Sequence, residues 1–493
     1  MARSGTIASL LVLVLSGCGT NSRHVILVVG DGMQLEHERA ASNYLFGTPE
    51  GALEHQKFPY RGAATTWDVT TYDRHAFAAS ATGGFDARLG YDPARGGKLP
   101  YRQDTTGQTA YFGTKLPDGK GRTAAYPATD SASAATALAT GVKTDEGNIS
   151  WRSGDLDGGR LTTIAEMARS QKKAAIGVVS TVPFSHATPA AFVSHDRSRR
   201  NYQAIAREIV TVTRPDVVIG GGSPRFNDSA GIAGPKAFQY VDAPEHENLR
   251  SSTEYVFVER APGVDGGAAL LSGAEEAVTR KKKLFGLFGG EGGNFEFHRP
   301  ARGEVQVARG SVENPTLADV SRAALRVLSQ NGNGFFLLVE QGDIDWANHD
   351  DDHASMVGGI WDLNEAVKAI EAFIDQPGDD LTWENTLLVV TSDHGNGFMR
   401  LKKDLARGQL PTQTESGGAF HYDPAEVTYG FTGTGHDSHT NELVTVSARG
   451  AGAGLFHRYE GLWYPGTTII DNTHIHEVMM TSMGLDRAPR SAP

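Results

Sequence analysis

Five short runs of apolar residues constrain this chain more than any other feature. They are His24–Val29, Ala175–Val179, Val217–Ile219, Phe335–Val339 and Leu387–Val390. Each has the length and branching of a β-strand, and none alternates with polar residues, so both faces of each are expected to be buried. Helical patterns lie between them. Pro315–Ser329 is one, with Asn314 as the cap and Pro315 at the first helical position. Met356–Ile374 is another, with Ile360, Leu363, Val367 and Ile370 on one stripe. Apolar strands alternating with helices predict an α/β fold: a large, mostly parallel central sheet flanked by helices on both faces. Two long stretches break the rhythm, near 68–122 and 395–435, and are expected to be loop-rich insertions. The Lys281–Lys283 run reads as a solvated loop.

The first residues stand apart. Arg3 precedes an apolar run, Ile7–Leu15, and then Leu15-Ser16-Gly17-Cys18. A short charged region before a brief apolar one reads as an export signal over 1–17, too short to span a bilayer comfortably. The Leu-Ser-Gly-Cys sequence resembles the lipobox of bacterial lipoproteins. It implies a lipid anchor at Cys18, a short tether over 18–23, and a periplasmic or cell-envelope location. Residues 24–493 are then expected to form a single catalytic domain. Cys18 is the only cysteine, so no intrachain disulfide can form. The net charge of −12 argues against nucleic acid as a specific partner, and an anionic ligand would need local positive charge.

The stretch TDSASAATALATGVKT, residues 129–144, reads as a helix start. Thr129 or Asp130 can cap it, Ala132–Ala139 favours helix, and Gly141 ends it. Ser131 is thereby placed at a helix N-terminus, where free N–H groups favour negative charge.

Acids and histidines follow the apolar runs. Gly30-Asp31-Gly32 comes after the first; His186-Ala187-Thr188-Pro189 and then Arg199 after the second. Glu340, Asp343, Asp345 and His349 follow the Phe335 run, and Ser392-Asp393-His394-Gly395 the Leu387 run. His436-Asp437-Ser438-His439-Thr440 precedes an expected strand at Glu442–Val446. Alone, each is weak: Asp-Gly after a strand is commonly a turn, and Asp345 with His349 could be a helical surface pair. Ligand sites in parallel sheets form beyond the carboxyl ends of the strands. Acids and imidazoles gathered there are costly to bury unpaired, and divalent cations explain them best.

With VVGDGM (28–33), TDSASAATA (129–137), HATPA (186–190), VEQGDIDWANH (339–349), TSDHG (391–395) and HDSHTNELV (436–444), the chain resembles the alkaline phosphatases over residues 24–480. The resemblance implies hydrolysis of small phosphate monoesters at alkaline pH through a phosphoserine on Ser131. It implies two zinc ions, one on Asp345, His349 and His439, the other on Asp31, Asp393 and His394. A third ion, magnesium, would take Asp31, Thr188 and Glu340. Arg199 would clamp two phosphate oxygens, and Asp130 would orient Arg199 and cap the helix. A homodimer is a further expectation.

Some residues depart from the family pattern. His186 stands where many bacterial relatives carry an acid, and Trp346 where they often carry Lys or His; both flank the third metal site. His195 and His436 are surplus, and Asp350–His353 is expected to be a solvated acidic run. The stretch 68–122 is long for its place and is expected to form a cap or partner surface. Two other readings remain: a related phosphodiesterase or sulfatase, and a non-catalytic phosphate-binding surface lipoprotein. Ser131-Ala132-Ser133-Ala134-Ala135 lacks the Pro and Arg of a sulfatase motif, while Arg199 and Glu340 favour monoesters.

Overall fold

Strand-forming runs without polar interruption must be covered on both faces, and one ten-stranded sheet does this. In the computed structural model the described residues are 22–79, 83–100, 107–117, 123–125, 127–225, 237–378, 380–416, 419–430 and 438–487. The export signal over 1–17, Cys18 and His436 lie outside them.

The strands are β1 His24–Gly30, β2 Tyr60–Thr65, β3 Ala175–Pro183, β4 Val217–Gly221 and β5 Tyr255–Glu259. The rest are β6 Lys283–Leu287, β7 Phe335–Gln341, β8 Thr386–Thr391, β9 Val444–Gly450 and β10 Ile469–Asp471. Their order is β10-β2-β9-β8-β1-β7-β3-β4-β6-β5. All neighbours are parallel except those involving β9, which runs antiparallel to β8 and β2. β1 is central: His24 lies opposite Phe335 on one side and Thr386 on the other.

Successive residues of β1 feed opposite layers, as a pleated strand requires. Val25, Leu27 and Val29 pack with Ala132, Ala135 and Leu138 of the Ser131–Thr140 helix. Ile26 and Val28 pack with Val357, Ile360 and Leu363 of the His353–Ile374 helix. The expected α/β architecture is therefore the one observed.

Several boundaries differ from expectation. The helix read from Pro315 spans Leu317–Leu328, and its cap is Thr316, whose hydroxyl accepts from Asp319 N at 3.2 Å. The Asn314 amide oxygen instead accepts from Gly289 N at 2.9 Å. The next helix starts at His353, before Met356, because the Asp352 carboxylate caps it through Ser355 N at 3.1 Å. Asp351, Asp352 and His353 are thus buried, not solvated. The last long strand begins at Val444, where pairing with Ala64 of β2 starts; Glu442 precedes it, and its side chain is engaged by Arg400 at 2.6 Å. Lys283 opens β6, so the lysine run is only partly a loop.

The described part of 68–122 includes a helix, Val69–Ala78, a 3-10 helix at Ala87–Leu89 and short α-helices at Pro93–Gly96 and Gln108–Phe112. Trp67, Tyr91, Tyr111 and Phe112 bind it to Phe398, Leu443 and Tyr464. After β8, Gly395–Asn396 pairs antiparallel with His439–Thr440. Among the described residues no helix is long and apolar enough to cross a membrane.

Candidate active site

The carboxyl ends of β1, β3, β7 and β8 converge on one rim, and each delivers polar side chains there. Asp31 follows β1 directly. Gly32 sits at φ +68, and a Cβ there would come within 2.8 Å of Asp345 Oδ1, so only glycine lets the turn after β1 meet the Asp343–His349 helix. Glu340 lies within β7, and Asp345 and His349 share one face of the Asp343–His349 helix. Asp393 and His394 follow β8, and the Gly395–Asn396 pairing brings His439 beside them.

Two groups of ligand atoms result. Asp345, His349 and His439 lie together: His349 Nε2 is 3.2 Å and His439 Nε2 3.4 Å from the Asp345 carboxylate. Asp31, Asp393 and His394 form the second group, with His394 Nε2 3.5 Å from Asp31 and 3.3 Å from Asp393. Each imidazole is anchored through Nδ1. His439 Nδ1 donates to Thr129 O at 2.9 Å, and His394 Nδ1 faces Gly395 O at 3.3 Å. His349 Nδ1 lies 2.6 Å from Ser438 Oγ. Such bonds fix ring orientation and turn Nε2 inward.

Ser131 occupies the first turn of its buried helix, with Oγ 3.2 Å from His394 Nε2. Asp130 is the cap. Its Oδ1 accepts from Ser133 N at 3.0 Å and Gly147 N at 3.1 Å, while Oδ2 accepts from Arg199 at 2.9 Å. A cavity of about 700 Å³ opens in front of Ser131, with Arg199, His186, Tyr202, Trp346 and His349 in its wall. The His186 ring stacks on Tyr202 at 5.7 Å and meets Trp346 edge-on at 5.6 Å.

The electrostatics are those of crowded acids. Burial, and then Asp393, Asp345 and Glu340, push the Asp31 carboxyl well above its usual range. Burial raises Asp393 to about 8 and Glu340 to about 7, the latter against a hydrogen bond from Ser180. Burial would also raise Asp345, but His349 and His439 hold it well below the usual value. Burial and the neighbouring His439 keep His394 neutral.

The family model for alkaline phosphatase matches residues 117–406. The chain belongs to the alkaline phosphatase family. Alkaline phosphatase 3 of Bacillus subtilis is 31% identical over 285 residues, 56% of this chain and 51% of that protein, so the match spans about half the relative's length. The alkaline phosphatase of Escherichia fergusonii is 27% identical over 463 residues, 88% of this chain and 82% of its own. The alkaline phosphatase from the Antarctic bacterium TAB5 shares the fold, with a TM-score of 0.58 at 20% identity, covering 95% of this chain and all (100%) of that one.

The residues of this alkaline phosphatase family member fit bound cations. Asp31 Oδ1, Asp393 Oδ2 and Glu340 Oε1 are buried carboxylate oxygens that face one another with no well-formed hydrogen bond from a donor outside the group, and Thr188 Oγ1 is buried beside Glu340. These buried oxygens beside the neutral imidazole of His394 form a donor set that asks for positive charge.

Other contributors carried no signal in the sequence. Asn396 Nδ2 donates to Asp345 Oδ1 at 2.6 Å, Ser180 holds Glu340, and Ser133 Oγ donates to Asp68 at 3.0 Å. They act through residues far away in sequence. His195 lies apart from the rim, paired with Glu208 at 2.9 Å and Glu166 at 3.5 Å.

Proposed function

We propose that this chain hydrolyses small phosphate monoesters through a phosphoserine on Ser131. The observation that supports it most is Ser131 Oγ, at the start of a buried helix and 3.2 Å from His394 Nε2, where both ligand groups meet. Asp345, His349 and His439 would hold one zinc ion, Asp31, Asp393 and His394 a second, and Asp31, Thr188 and Glu340 a magnesium ion. Bound there, such ions lower the pKa of coordinated hydroxyls and neutralise charge on the transferred phosphoryl group.

The chain's own residues do the rest. The helix N-terminus favours the negative charge that Ser131 Oγ acquires as it loses its proton. Oγ, its proton given up to solvent water, bonds to phosphorus in line as the P–O bond to the ester oxygen breaks, and the departing oxygen takes a proton from water to leave as the alcohol. Water then attacks the phosphoserine from the side the alcohol vacated and releases inorganic phosphate. Arg199 remains cationic. Asp130 occupies one edge of its guanidinium, leaving other N–H groups to grip phosphoryl oxygens as a fork. His186 and Trp346 line the cavity in front of Ser131, where they would border the leaving group.

The reading extends to residues 24–493 as one catalytic domain, an exported chain anchored through lipid at Cys18, and a homodimer. Rates on p-nitrophenyl phosphate and on its bis ester, with zinc and magnesium, test the activity. A faster monoester and a trapped phosphoserine support it; a faster diester, or no turnover of either, overturns it.

A further inference from the structure

The sheet has two unlike edges. Its carboxyl-end edge is the acidic rim of the cleft. At the opposite edge, the segments leading into β3, β4 and β6 each end in cations: Lys172 and Lys173 before β3, Arg214 before β4, and Lys281 and Lys282 before β6. These segments touch one another. Arg169 donates to Arg214 O at 3.3 Å, Lys283 Nζ donates to the same carbonyl at 2.7 Å, and Asn331 donates to Lys173 O at 3.1 Å. Carboxylates answer only some of these charges: Asp216 pairs with Arg169, and Glu254 with Arg214 and Lys283. Among the described residues no ion pair is recorded for Lys172, Lys173, Lys281 or Lys282. Val212, 66% exposed, stands among them. The β8 end of the same edge is acidic, with Asp375, Asp380 and Glu384, so the positive charge is confined to one half. It is a local excess in a chain of net charge −12.

The described chain enters at this edge. Ser22 Oγ donates to Ala451 O at 2.9 Å, and Ser22 shares a groove with Arg23, Lys172 and Asn385. Cys18 is four residues earlier and reaches at most ~14 Å from Ser22. The seven residues of β1 put the cleft ~23 Å above the edge. A lipid on Cys18 therefore holds this edge, and not the cleft, against the bilayer.

We propose that the half-edge formed by the segments before β3, β4 and β6 is a docking face for an anionic phospholipid surface, with the cleft directed away from it. Basic groups within a Debye length of such a surface are attracted to it, and salt weakens the attraction. The orientation rests on the reading of Cys18 as lipid-bearing; the charge recognition does not.

Full-length mature protein, reconstituted with phosphatidylcholine vesicles with and without phosphatidylglycerol, tests this through acylation of lysines by a water-soluble reagent. At low salt, labelling of Lys172, Lys173 and Lys281 falls ~5-fold or more on phosphatidylglycerol vesicles relative to detergent. Lys402 and Lys403, on the segment that leaves β8 on the cleft side, label as before. Flotation with pure phosphatidylcholine reads the anchor separately. A chain that does not float there, yet is protected on phosphatidylglycerol, keeps the face and loses the anchor. One that floats on both, with those lysines labelled as in detergent, overturns the face. The K172E/K173E/K281E/K282E variant is expected to hydrolyse a soluble monoester normally and to lose its extra retention on phosphatidylglycerol; unchanged retention also overturns the proposal.

Discussion

Ser131 and Gly32 show how narrowly single residues define this rim. Ser131 has a buried helix start behind it and His394 in front, and no other hydroxyl in its helix has that setting. Ser131→Ala is expected to lower kcat by ~10³-fold or more and to abolish phosphoserine, with binding of metal kept. Labelling with radioactive phosphate at acidic pH reads this directly, and a labelled S131A protein refutes it. Gly32 acts through what it lacks. Its φ of +68 and the 2.8 Å approach to Asp345 leave no room for a methyl group. Gly32→Ala is therefore expected to cost about 1 kcal/mol or more in stability and to lower metal content, measured by thermal melting and elemental analysis. Wild-type metal content in that variant would show that the loop yields.

At the scale of elements, loop pairings aim the ligands. The Gly395–Asn396 bridge to His439–Thr440 positions His439, and Asn396 also donates to Asp345. Asn396→Ala is expected to weaken metal affinity ~10-fold to 100-fold while leaving the fold intact, read by competition with a chelator. A second element effect is pH-dependent. Burial lowers the His195 pKa, but Glu166 and Glu208 outweigh it and raise it to about 9 from 6.5. A raised imidazole pKa stabilises fully below pH 6.5 and ceases to do so as pH rises through about 9. His195→Gln should thus lower Tm clearly at pH 6 and little at pH 10, as calorimetry at both pH values would show.

The sequence showed β1, β3, β4, β7, β8 and β9, the cap region at Asp130 and the acids and histidines after those strands, because strand burial and helix capping are local rules; β2, β5, β6 and β10 were not read from it. It did not show Asn396 on Asp345 or Ser180 on Glu340, whose partners lie 51 and 160 residues away. Thr316 displaced Asn314 as a cap because Asn314 is committed to the Gly289 turn. Asp351 and Asp352 looked like a solvated run, yet the turn into the long helix buries them.

The whole molecule is a polarised sheet: buried acids and imidazoles at one edge, lysines along half of the other. Gathering Asp31, Asp393 and Glu340 in one buried rim costs stability unless cations balance them. Dialysis against a chelator is expected to lower Tm by about 5 °C or more and to abolish hydrolysis, both restored by zinc with magnesium. An unchanged melting curve would mean that these acids need no ion.

The most direct test is anomalous diffraction at the zinc edge from crystals grown with zinc. Two strong peaks are expected, one among Asp345, His349 and His439 and the other among Asp31, Asp393 and His394, flanking Ser131. A map with no peak there, or with zinc only at surface histidines such as His457, would contradict the account.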